Sequence, residues 1–179
     1  MTYVPRVLAV LTLSALLQAC GGADEEAAAP AATAVTQAVP PAPTAAARSS
    51  EAAYQDLAGN PVDIADFAGK KVFVNYWATW CAPCIKEIPS INRAAAALAP
   101  EGVVFLLASD EKLETINDFL LDRGFEGAFV KLNTYVGAIG INVMPTSVLY
   151  DETGQLVRTW EGAFEWDSEE MLAQIRNPG

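Results

Sequence analysis

Val72-Phe-Val-Asn-Tyr-Trp77 is an apolar run of β-branched and aromatic residues that stands just ahead of Cys81-Ala-Pro-Cys84. Its composition predicts a strand buried on both faces. Beyond the cysteines, Ile85, Ile88, Ile91 and Leu98 recur near the helical period of about 3.6 residues. A buried strand that hands over to a helix within a few residues commits the chain to an α/β arrangement of packed layers. It also sets two cysteines where the helix begins. Unpaired backbone N–H groups and the positive end of the helix dipole lower a thiol's pKa there, below the free value of about 8.5. The spacing lets the sulfurs close across one turn while leaving the first exposed. Cys81 is therefore expected to be the attacking thiolate and Cys84 the resolving thiol.

The rest of the composition narrows the chemistry. Histidine is absent, which removes His bases, Cys-His pairs and His-bearing metal sites. Cys20, Cys81 and Cys84 are the only cysteines, too few for a disulfide scaffold and short of the ligands a structural zinc needs. No metal and no cofactor are expected. A static structural bridge is the competing reading of the Cys81–Cys84 pair; Trp77 and Trp80, which such a bridge would not require, weigh against it. With 11 basic against 22 acidic residues and no basic run, nucleic acid is excluded as a partner.

The remaining pattern supports a mixed sheet. Val103–Ala108 reads as a second buried strand, Glu111–Asp122 as an amphipathic helix closed near Gly124, Ala128–Leu132 as a weaker strand and Tyr135–Ile141 as a short helix. Ser147–Tyr150 and Leu156–Trp160 flank Asp151-Glu-Thr-Gly154 as a β-hairpin, and Ser168 is placed to cap a last helix running to Ile175.

The N-terminus reads as an address. Arg6 precedes the apolar Val7–Leu17 stretch, too short for the roughly 20 residues that cross a bilayer and fitting a secretory signal. Leu17-Gln18-Ala19-Cys20 resembles the bacterial lipoprotein box, which implies cleavage before Cys20 and acylation of its thiol. A plain signal peptide cut near Ala19 is the alternative. Gly21 and Gly22 follow with no adjacent Asp, and the lipoprotein resemblance then points to the outer membrane over the inner. Residues 23–50 are Ala- and Pro-rich and too poor in large apolar side chains to offset the entropy of ordering. The expected organisation is a lipoprotein signal peptide over 1–19, a lipidated Cys20 and disordered tether over 20–50, and a folded domain over 51–179.

Trp77-Ala-Thr-Trp80-Cys81-Ala-Pro-Cys84 resembles the active-site loop of the thioredoxin superfamily. Within it, the chain is similar to the TlpA/ResA-like membrane-anchored periplasmic reductases. The likeness runs over Tyr54–Ile175 and takes in the Asp56–Asp63 turn, Gly69-Lys-Lys-Val72, Met144-Pro-Thr146 and the Asp151–Gly154 hairpin. It implies a thioredoxin-like α/β fold, a central mixed β-sheet flanked by helices, with an N-terminal β-hairpin extension. Pro145 then matches the cis-proline that packs opposite the disulfide, and Trp80, Pro83, Met144 and Pro145 would line a substrate groove. Glu87, one turn after Cys84, matches an acidic residue able to exchange a proton with the resolving thiol. A strand-edge proline and an exposed helical glutamate are the plainer readings of these two positions.

Where thioredoxin has a buried Asp, this chain has Asn75, so a proton relay must use Glu87 or water. The resemblance implies reduction of disulfide-bearing periplasmic clients such as apocytochrome c, recharged by a membrane thiol carrier. Ala82-Pro83 lacks the His of strongly oxidising loops and so favours reduction. An oxidase or isomerase is the alternative, as is a non-enzymatic lipoprotein binding peptide or metal. A peroxidase is disfavoured, since Ala78 stands where that pattern has Thr.

Overall fold

The computed structural model describes residues 52–179. The expected signal peptide, Cys20 and tether lie outside the described residues.

The described residues form seven strands, β1 (Tyr54–Asp56), β2 (Pro61–Val62), β3 (Val72–Tyr76), β4 (Val104–Ser109), β5 (Phe129–Leu132), β6 (Thr146–Tyr150) and β7 (Leu156–Glu161). They form one mixed sheet in the order β2-β1-β5-β4-β3-β6-β7. β3, β4 and β5 run parallel, while β1, β6 and β7 pair antiparallel with their neighbours. The N-terminal hairpin is present as β1–β2. Its turn is held by the Asp56 carboxylate, which accepts from the backbone N–H groups of Ala58 at 2.9 Å and Asn60 at 2.8 Å.

The described residues hold three α-helices, α1 (Ala82–Leu98), α2 (Leu113–Arg123) and α3 (Glu169–Arg176). All three pack into one core on one face of the sheet. Phe73 and Trp77 from the central strand region meet Ile88, Ile91 and Leu98 of α1, Ile116 of α2 and Ile175 of α3 there. Alternate residues Val72, Val74 and Tyr76 point into a second apolar cluster on the other face, as the two-residue strand period requires. Every residue of β3 is buried, which is why its sequence is apolar on both faces rather than alternating, Asn75 apart.

Two elements differ from expectation. The helix expected from Glu111 begins at Leu113, because the side chain of Glu111 is drawn back to the loop before Cys81. Gly124, at φ 65°, closes this helix in the left-handed conformation that glycine adopts without strain. The expected 135–141 helix is a single 3-10 turn, Val136–Ile139, ended by Gly140 at φ 84°. No helix among the described residues is long and apolar enough to cross a membrane.

Candidate active site

β3 ends at Tyr76, and the Trp77–Cys81 loop delivers Cys81 as the N-cap of α1. Cys81 and Cys84 are joined in a disulfide with their Cα atoms 5.3 Å apart. The Cys81 sulfur also accepts from the Cys84 backbone N–H at 3.4 Å, one of the donors that a helix start leaves unpaired. Cys84 is fully buried. Cys81 is only 4 % exposed, against the expectation of an open sulfur. In the oxidised pair it belongs to the core cluster with Trp77 and Ala78, and Met144 packs against that cluster. Trp80 beside it is 72 % exposed and Pro83 is exposed.

The opposite wall comes from β6. Tyr76 pairs with Thr146 across the β3–β6 ladder, so the two residues before Thr146 lie beside the start of the cysteine loop. These are Met144 and Pro145, and the peptide bond between them is cis. Pro145 is buried, and its carbonyl accepts from Gly162 N–H at 2.8 Å. Thr146 donates its hydroxyl to the Val143 carbonyl at 2.7 Å.

Glu87 is no exposed helical carboxylate; it is 3 % exposed. Asn75 Nδ2 donates to its Oε1 at 2.8 Å, while Trp166 Nε1 at 2.8 Å and Phe164 N–H at 3.2 Å donate to Oε2. Asn75 also donates to Ser147 Oγ at 2.9 Å, its partner across the ladder. Burial pushes the Glu87 carboxyl above its ordinary range, and the hydrogen bonds from Trp166, Asn75 and Phe164 pull against that rise. A carboxylate at this position of α1, one turn past Cys84, can hold or release a proton inside the core.

Three further contacts were not anticipated. Trp166 and Phe164 reach Glu87 from the β7–α3 loop, and Glu111 accepts hydrogen bonds from Thr79 beside the cysteines. Large aromatics inside the polar stretch Glu161–Ser168 were a visible signal for the first two. For Glu111 the signal was its place just after the carboxyl end of a buried strand, where α/β sheets gather functional groups.

Fold and site together define a thioredoxin-fold protein with a Cys-x-x-Cys disulfide at the start of its first long helix and a cis-proline just before the strand that pairs antiparallel with β3. The chain belongs to the AhpC/TSA family, whose profile matches residues 41–174. It is 36 % identical over 105 residues to thiol-disulfide oxidoreductase ResA of Bacillus thuringiensis (strain Al Hakam), covering 57 % of this chain and 61 % of that relative. It thus matches about three-fifths of that relative's length. Thiol-disulfide oxidoreductase ResA of Geobacillus thermodenitrificans is 30 % identical over 125 residues, covering 68 % of this chain and 72 % of that one. Among solved structures, a thiol:disulfide interchange protein of the thioredoxin family from Chlorobium tepidum superposes with a TM-score of 0.55. That likeness carries 25 % identity over 68 % of this chain and 90 % of that one.

Proposed function

We propose that this protein is a thiol–disulfide oxidoreductase of the periplasm, tethered to a membrane through Cys20, that reduces disulfides in client proteins such as apocytochrome c. The observation that carries this is the Cys81–Cys84 disulfide at a helix N-terminus, with a buried carboxylate one turn along the helix and a cis-proline just ahead of the neighbouring strand β6.

In the reduced protein the Cys81 thiolate attacks a client disulfide. A mixed disulfide forms, and the client's first sulfur leaves as a thiolate that takes up a proton. Cys84 then passes its proton to Glu87 and attacks the Cys81 sulfur. The second client sulfur leaves, and two electrons have moved from protein to client. A membrane thiol carrier restores the dithiol. Trp80, Pro83, Met144 and Pro145 form the surface on which the client lies.

Redox equilibration against dithiothreitol tests the direction of flow. A potential near the thioredoxin value of about −270 mV is expected; one near about −120 mV, that of a strong oxidant, would make the protein an oxidase. The tether has its own test. Cells fed an alkynyl fatty acid should label the full chain, and Cys20→Ser should abolish that labelling and release the domain from membranes. Membrane retention by the Cys20→Ser chain would leave no role for the lipid.

A further inference from the structure

We propose that Asp110 and Glu111 are positioning residues that hold the two walls of the client groove at a fixed spacing, an inference that rests on the thiol–disulfide function proposed above. Both follow directly on β4, which ends at Ser109 beside β3. The Glu111 carboxylate accepts from the Thr79 backbone N–H at 2.8 Å and from the Thr79 hydroxyl at 2.8 Å. Ser109 Oγ braces that carboxylate, donating to it at 3.1 Å. The wall that carries Trp80 and Cys81 is thereby pinned two residues before the cysteine.

One residue earlier in the chain, Asp110 Oδ2 accepts from the Val136 backbone N–H at 3.0 Å. Val136 opens the 3-10 turn from which the chain runs on to Met144 and Pro145. Adjacent carboxylates at one strand end therefore grip the loop that carries Cys81 and the turn from which the chain runs toward the cis-proline. Each grip is a charge-assisted hydrogen bond to backbone, the stronger kind. A loop that merely needed its N–H groups satisfied could use water at these half-buried places. What two neighbouring carboxylates add is a common reference point for both walls. A client chain must meet the sulfur on one wall and the cis-proline on the other, so a change in their spacing weakens docking more than it changes sulfur chemistry.

Steady-state reduction of insulin by the full-length chain, driven by dithiothreitol, tests this. In each turnover the Cys81–Cys84 dithiol passes two electrons and two protons to one insulin disulfide, and dithiothreitol restores the dithiol. Asp110→Ala and Glu111→Ala are each expected to raise KM for insulin about tenfold while kcat changes less than about threefold. Asp110→Asn and Glu111→Gln keep an oxygen that can accept the same N–H, and should recover most of the loss. An unchanged KM in the alanine variants overturns the proposal, as does a fall in kcat alone. Amide variants as impaired as the alanine ones also overturn it. Should Glu111→Ala fail to fold, Asp110→Ala and Asp110→Asn carry the same test. Wild-type protein inactive on insulin would sink the thiol–disulfide function itself, whereas active wild type with indifferent variants sinks only the role of Asp110 and Glu111.

Discussion

Cys84→Ala is expected to turn the protein into a covalent trap, with client proteins held on Cys81 and catalytic turnover down on the order of a thousandfold. The reason lies in the order of the two sulfurs. Cys81 caps α1, and its sulfur already receives the Cys84 N–H; when the pair is reduced, that donor and the helix dipole favour the thiolate. Cys84 is fully buried, so it meets a client only through the mixed disulfide on its neighbour. Without it the first exchange still occurs and the second does not. Cys81→Ser should remove both steps and trap nothing. Diagonal non-reducing gels of cells carrying each variant check this directly. Adducts appearing with Cys81→Ser but not with Cys84→Ala would reverse the assignment of the two cysteines. Their absence from both would leave the bridge a static one.

The parts of the molecule that could be read in advance share a physical character. Val72–Tyr76 and the cysteines behind it announce themselves because strand burial and helix capping are local: each leaves its mark within a few residues. Glu87 stood out only through the family resemblance, one turn after Cys84. Its burial depends on Trp166 and Phe164, which lie more than seventy residues further along and belong to a loop with no periodic signal. The same limit explains Glu111. Its own preference is helical, but the Thr79 N–H across the sheet outcompetes one more turn of helix. Gly137 and Gly140 weakened the 135–141 stretch in plain sight, and the chain there keeps one 3-10 turn. Cys81 is covered as a member of a core cluster that gathers residues far apart along the chain, a tertiary arrangement that no local pattern encodes.

Glu87→Gln is expected to slow the resolving step by about a hundredfold, the low end of what a positioned base contributes, and to flatten its dependence on pH. Only the ionised carboxylate can take the Cys84 proton, and burial raises its pKa above the ordinary 4.5. In the wild type, then, resolution should speed up as pH rises through that elevated value, and Gln, which does not titrate, should show no such rise. Stability should move the opposite way. Between 4.5 and its raised value the folded protein keeps a proton that the unfolded chain has lost, so unfolding free energy falls as pH climbs through that window and is fully retained below it. The Gln variant should lack that slope. Trp166→Phe removes one of the donors opposing the rise, so both transitions should shift to higher pH. Glu87→Ala, by contrast, strands the buried donors of Asn75, Trp166 and Phe164 and should cost about 3 kcal/mol or more in denaturant melts. Stopped-flow resolution of a preformed mixed disulfide, followed across pH in wild type and Glu87→Gln, separates catalysis from packing. Identical profiles would make Glu87 a scaffold for the β7–α3 loop and leave water as the acceptor of the Cys84 proton.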